Sequence, residues 1–186
     1  MKVSREQAGE NRERVLEAAG RLFKERGFDG VGVADLMKKA GLTHGAFYGQ
    51  FDSKEHLIAE ACERSMLQSG PKWDRALAGK TGEEALAALR AFYLTPRHVA
   101  QPETGCTLAS LAAEAPRRGA PVRRAFTQGV NRLLERILAV VPGRNPAARR
   151  REAINTLAAM VGALILARAV DDPKLSAEIL TAVRNA

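Results

Sequence analysis

The chain predicts an all-α protein, and three observations carry that reading. Apolar residues recur at spacings of three and four over long stretches, and strand-like alternation is almost absent. The prolines, Pro71, Pro96, Pro102, Pro116, Pro121, Pro142, Pro146 and Pro173, punctuate those stretches at what read as helix ends. The pattern predicts about nine helices: a small N-terminal three-helix unit containing a helix-turn-helix, then a larger C-terminal helical bundle. At 186 residues the chain is long enough to bury a sizeable core.

The first helix puts Val15, Ala18, Ala19, Leu22 and Phe23 on one face and stops at Gly27. Ser4 with Gln7 has the form of a capping box that would start it early. Val33, Leu36, Met37 and Ala40 then form one stripe on a helix barely two turns long, which cannot stand alone. Gly41 suits the left-handed residue that ends it, Leu42 plugs the corner, and Thr43 caps the next helix, about Thr43 to Tyr48. That segment is too short and too rich in Gly and Ala to persist by propensity, so Phe47 and Phe51 must anchor it from beneath. Its outward side carries Thr43, His44, Gly45 and Ala46, small or polar groups that let a duplex groove come close. Ser53 caps a further helix, where Lys54 beside free N–H groups makes a phosphate clamp.

The stretch NRERVLEAAGRLFKERGFDGVGVADLMKKAGLTHGAFYGQFDSKEHL, Asn11 to Leu57, carries F-x-x-x-G-F, V-x-D-L, A-G-L-T, F-Y-x-x-F and S-K-E in order. It resembles the DNA-binding domain of the TetR/AcrR family of bacterial transcriptional repressors. The resemblance implies that Thr43, His44 and Ala46 face base edges while Tyr48 and Lys54 hold phosphates, and it suggests Asn11 as an alternative start for the first helix. It implies a DNA-binding domain over residues 1–57 and an effector-binding and dimerisation domain over 58–186, joined through the helix that begins at Ser53. Two departures are visible. Val31 and Gly32 stand where relatives usually carry a capping Thr or Ser, and Gly49 stands where a larger polar or aromatic residue is common.

That joining helix is predicted to run to about Gly70 with Leu57, Ile58, Ala61, Cys62 and Met66 inward, as a rigid rod between the domains. Thr81 caps a helix holding Leu86, Leu89, Phe92 and Tyr93, and a loop from Arg97 to Gly105 leads to a short helix opening at Cys106 or Thr107. Pro121 opens a long helix, Asn145 with Pro146 another, and Asp172 with Pro173 the last. The helix around Leu157, Val161, Leu164 and Ile165 is apolar on most of its circumference, so it needs cover on two sides. With Ile179 and Val183 of the last helix, one side is expected to pair with a second copy across a twofold axis.

The family resemblance also implies a small-molecule effector, for which Met66, Trp73, Phe92, Tyr93, Cys106, Leu108, Phe126 and Met160 are the candidate lining. Cys106 has two readings, a small residue fitting a crowded helix start or a thiol sensor of electrophiles and oxidants. An enzyme using Cys106 with His98 lacks a visible third orienting group. His44, His56 and His98 have no metal-site spacing, and neither a metal nor a cofactor is expected.

The formal net charge of +8 supports a polyanionic partner only weakly, because residues 1–54 hold ten basic against eight acidic side chains. The densest basic run, Arg117 to Arg151, reads as a solvated helix face. The polar start MKVSREQAGENRER and an apolar stretch of only about fourteen residues, Leu157 to Val170, predict a cytoplasmic protein with no membrane partner, and the family resemblance implies a bacterial one. The expectation is therefore a homodimeric regulator of operator DNA, most simply a repressor released by an effector. A thiol-sensing repressor and a ligand-independent DNA-binding protein remain alternatives.

Overall fold

The computed structural model describes residues 4–186, and among them it has nine α-helices, three 3-10 turns and no strand. The N-terminal unit holds α1 (Arg5–Arg26), α2 (Val33–Lys39) and a 3-10 turn at His44–Ala46. The helix α3 (Lys54–Leu77) leads into α4 (Gly82–Tyr93), α5 (Pro96–Ala100), α6 (Thr107–Leu111), α7 (Ala120–Val140), α8 (Pro146–Ala169) and α9 (Pro173–Arg184). Further 3-10 turns sit at Pro102–Thr104 and Ala115–Arg117.

Of the two possible starts for α1, the structure has the earlier one: Ser4 Oγ accepts from the Gln7 N–H at 3.1 Å, and Asn11 lies inside the helix. The helix stops at Gly27, whose φ of 75° is one that a side chain would resist. Val15, Leu16, Ala19, Leu22 and Phe23 are buried against α2 and α3. Arg12–Glu60 at 2.6 Å and Arg64–Glu13 at 2.7 Å flank that packing.

The helix α3 does not end near Gly70 as expected but runs on through Pro71 to Leu77. Two contacts carry it across the proline. Trp73 is buried in the core, and Arg136 of α7 lies against Gly70 while its Nε donates to Asp74 Oδ1 at 2.8 Å. A Cβ on Gly129 of α7 would collide with Met66 Sδ, so α3 and α7 approach as closely as a glycine permits. The expected loop over Arg97 to Gly105 is α5 plus a 3-10 turn, because Thr95 Oγ1 caps α5 at the His98 N–H.

The caps expected at Asn145 and Asp172 form, with side chains accepting from Ala147, Ala148 and Lys174. Thr43 and Thr81 occupy N-cap positions without a side-chain cap bond.

Within the protomer α8 buries Ala153, Thr156, Leu157, Met160, Ala163, Leu164 and Ala167 against α4 to α7 and α9. At 24 residues it is long and apolar enough to cross a membrane, which the fourteen-residue apolar stretch did not suggest, but its buried face is taken by its own bundle. Its other face remains uncovered. Ile154, Ala158, Val161, Ile165 and Ala169 line up at helical spacing, with Ala159, Gly162 and Leu166 beside them, and Ile165 and Leu166 are 41% and 57% exposed.

Candidate nucleic-acid interface and ligand cavity

The turn between α2 and the recognition segment is closed as the sequence suggests. Gly41 takes φ 72°, its N–H donates to Lys38 O at 3.1 Å, and the Leu42 N–H donates to Met37 O at 2.8 Å. This pair of bonds satisfies the last carbonyls of α2 and turns the chain sharply. The recognition segment is a 3-10 turn rather than an α-helix, held by Ala46 N–H to Thr43 O and Phe47 N–H to His44 O. With so few backbone bonds of its own, it depends on what lies beneath. Phe47 and Phe51 are almost fully buried and stack at 5.7 Å, and the Arg12 guanidinium lies 4.7 Å over the Phe51 ring.

Above that support, Thr43, His44 and Gly45 are exposed, and Tyr48 is 70% exposed with His44 packed edge-on at 5.8 Å. The Thr43 hydroxyl makes no cap bond, which leaves it available to a groove. Ala46 is turned further inward than expected, half-buried against the core. Lys54 begins α3 beside the Ser53 cap, where Ser53 Oγ accepts from the His56 N–H at 3.1 Å.

A cavity of about 530 Å³ opens in the C-terminal bundle between α3, α4, α5, α6 and α7. Met66, Trp73, Phe92, Tyr93, Cys106 and Leu108 line it as expected. Phe126 and Met160 do not; both are buried in the core away from this lining. Leu157 and Leu164, expected at a dimer contact, also lie in the protomer core, because the helical period turns them toward α7 rather than outward. Val161, Ile179 and Val183 are half-buried, and Ile165 is exposed.

Burial, with the Cys106 thiol adjacent, raises the Tyr93 hydroxyl well above its ordinary range, and its oxygen has no nitrogen or oxygen partner. An unpaired buried hydroxyl costs about 1–3 kcal/mol, which an occupant of the cavity would relieve. His98 is fixed on both sides: its Nδ1–H donates to Tyr93 O at 2.7 Å and its Nε2 accepts from the Cys106 N–H at 2.9 Å. Burial holds its pKa below the usual range, so the ring is neutral. With that lone pair engaged by a backbone amide, His98 is not placed to take a proton from the Cys106 thiol. Cys62 lies in the core, its thiol pushed up to about 12 by burial. Among the described residues no three His, Cys, Asp or Glu side chains converge as a metal site requires.

The cavity wall touches the N-terminal unit at residues that carry no sequence signal, since each contact joins positions far apart in the chain. Lys24 of α1, pushed down to about 8 by burial, donates from Nζ to Gly105 O at 3.3 Å. Beyond α6, Glu114 Oε2 accepts from the Phe28 N–H at 2.9 Å. Arg118 pairs with Asp29 at 2.7 Å and lies over the Phe28 ring, holding the Asp29 carboxyl below its usual range. Glu55, in the first turn of α3, accepts from the Gly119 N–H at 2.6 Å. Both flanks of α6 are thus bonded to the N-terminal unit, Gly105 to Lys24 and Glu114 to the Phe28 N–H.

Residues 15–61 match the family described as bacterial regulatory proteins, tetR family. Over 80 residues the chain is 36% identical to YerO of Bacillus subtilis, an uncharacterized HTH-type transcriptional regulator, covering 41% of this chain and 28% of that protein. It is 29% identical over 122 residues to the transcriptional repressor NemR of Escherichia coli, covering 64% of this chain and 61% of that one. The matched stretch thus spans less than a third of the YerO chain and under two thirds of NemR. Across nearly the whole chain the fold is that of the reduced form of E. coli NemR, with a TM-score of 0.76 at 23% identity, covering 94% of this chain and 95% of that one. A TetR transcriptional regulator from Chloroflexus aurantiacus gives 0.79 at 23% identity, covering 97% and 95%.

Proposed function

Because the chain is a TetR-family transcriptional regulator, we propose that it is a homodimeric repressor of the bacterial cytoplasm, released from operator DNA by a small molecule bound in the cavity between α3 and α7. The observation that carries this reading is the pairing of two features. An exposed Thr43–Tyr48 surface rests on buried phenylalanines, and a cavity in the bundle has Gly105 in its wall bonded to Lys24 of that same unit, with Glu114 beyond α6 holding the Phe28 N–H. A molecule that binds better when α6 is displaced would favour a dimer whose readers are wrongly spaced, and that difference in affinity is the switch. The open cavity favours this reading over a ligand-independent DNA-binding protein.

In this proposal residues 1–57 read DNA and 58–186 sense and dimerise. Thr43, His44 and Gly45 meet base edges, and Tyr48 and Lys54 meet phosphates. Bound fragments selected from the source genome supply the operator. On that operator, Lys54→Ala should weaken binding to all sequences alike and lower the salt slope by about one unit. An unchanged slope in a salt titration would remove Lys54 from the phosphate contacts.

A second reading has its own support. Cys106 is half-buried on the cavity wall at the N-cap of α6, and the similar E. coli NemR is described in a reduced form. An electrophile in the cavity would add to the Cys106 sulfur, forming a carbon–sulfur bond while the thiol proton passes to the adduct. Cys106→Ser should then abolish release by an electrophile and leave operator affinity intact. Full release of the serine variant by the same electrophile would leave reversible binding as the whole mechanism.

A further inference from the structure

We propose that the cavity takes a planar aromatic molecule bearing an anionic group, of which an aromatic carboxylate is the simplest form; this rests on the reading of the cavity as the effector site. Charge is the first argument. Lys72 and Arg97 stand at the rim, and no Asp or Glu lines the cavity. Glu103, in the adjoining 3-10 turn, lines a surface groove beside α1 and α2 instead. Among the described residues Lys72 enters no salt bridge, and Arg97 Nε donates to the neutral Gln101 Oε1 at 3.1 Å.

Two more cations back the wall, Lys24 on Gly105 O and Arg168, whose Nη2 donates to His98 O at 2.6 Å, and among the described residues neither enters a salt bridge, although Glu103 faces both. A molecule entering here meets four cations and, behind the wall, the one carboxylate of Glu103. An anion is drawn in and an ammonium repelled.

Shape and the unpaired hydroxyl supply the rest. Trp73 and Tyr93 meet edge to face at 5.9 Å, Phe92 is 40% exposed at the mouth, and Met66, Leu108 and Leu133 complete the apolar lining. Ring systems pack well against such walls. The Tyr93 side chain is nearly fully buried, its oxygen has no nitrogen or oxygen partner, and it presents an O–H donor near Arg168 and the Cys106 thiol. A carboxylate oxygen accepts that hydrogen while the rim cations balance its charge. About 530 Å³ admits a two-ring molecule.

Trp73 is the chain's single tryptophan, so its emission reports directly on occupancy. The test compares biphenyl-4-carboxylate, biphenyl-4-carboxamide and 4-biphenylmethylammonium by calorimetry and by Trp73 emission. The carboxylate should bind at least tenfold tighter than the amide, with the ammonium weakest. Lys72→Met with Arg97→Met, both exposed at the rim, should erase the preference and leave amide affinity unchanged. Tyr93→Phe should weaken the carboxylate several-fold. Equal or tighter binding of the amide or the ammonium, or binding of none of the three, overturns the proposal. The effector reading fails separately: a carboxylate bound as expected that leaves operator affinity unchanged would keep the ligand class and remove the release.

Discussion

Phe47→Ala is expected to abolish operator binding and to remove about 3–5 kcal/mol of stability, the usual cost of emptying a buried aromatic site. The magnitude sits at the top of the range for single substitutions because two losses coincide. The ring is 1% exposed, stacked on Phe51, with Tyr48 edge-on at 5.3 Å. It also supports a segment that has only one 3-10 turn of backbone bonding to hold its shape. Once the support is gone, Thr43 and His44 have no fixed orientation. The control is Tyr48→Ala: its ring is 70% exposed, so stability should change by no more than about 0.5 kcal/mol while operator affinity falls. Urea melts and fluorescence anisotropy on a selected operator separate the two effects. A Phe47→Ala protein that binds DNA normally would mean the segment is held by something other than its phenylalanines.

The contrast between these neighbouring residues also shows what could be read from the chain. Gly41 and Leu42 were legible because each is decided within about five residues by backbone geometry that few side chains satisfy, whereas Ser4 and Asn11 both offered a cap and the sequence left the choice open. Phe47 and Phe51 were legible because a segment without propensity needs an anchor. Pro71 misled, since its local preference to end a helix is outweighed by Arg136, Asp74 and buried Trp73, which come from distant sequence. The aromatic lining of the cavity could be guessed residue by residue, yet Phe126 and Met160 are chemically identical to true lining residues and differ only in where α7 and α8 sit. The links between cavity and reader, Lys24 to Gly105, Glu114 to Phe28 and Glu55 to Gly119, span 64 to 86 positions and have no local pattern at all.

The second large effect is expected at the uncovered face of α8. Ile165→Glu combined with Leu166→Glu should give a folded monomer whose operator affinity is lower by two orders of magnitude or more. Leu157 and Leu164 are unsuitable for this test because they fill the protomer's own core, and changing them would confuse unfolding with dissociation. The outer pair carries no such cost, being 41% and 57% exposed in one protomer. In the proposed dimer two carboxylates placed there would meet their own copies across a twofold axis, where every contact is repeated, so the repulsion and desolvation would be doubled. Gly162 leaves open space beside them, as a close helix–helix crossing requires. In the proposed dimer operator affinity would depend on the pair because two readers about 34 Å apart engage successive major grooves together, and a tethered second reader raises the first one's effective affinity by about 10²–10⁴. Sedimentation should show the change of mass, and circular dichroism an unchanged helix content. A double variant that remains dimeric would move the twofold contact away from α8, and one that is monomeric yet binds its operator as before would separate DNA recognition from dimerisation altogether.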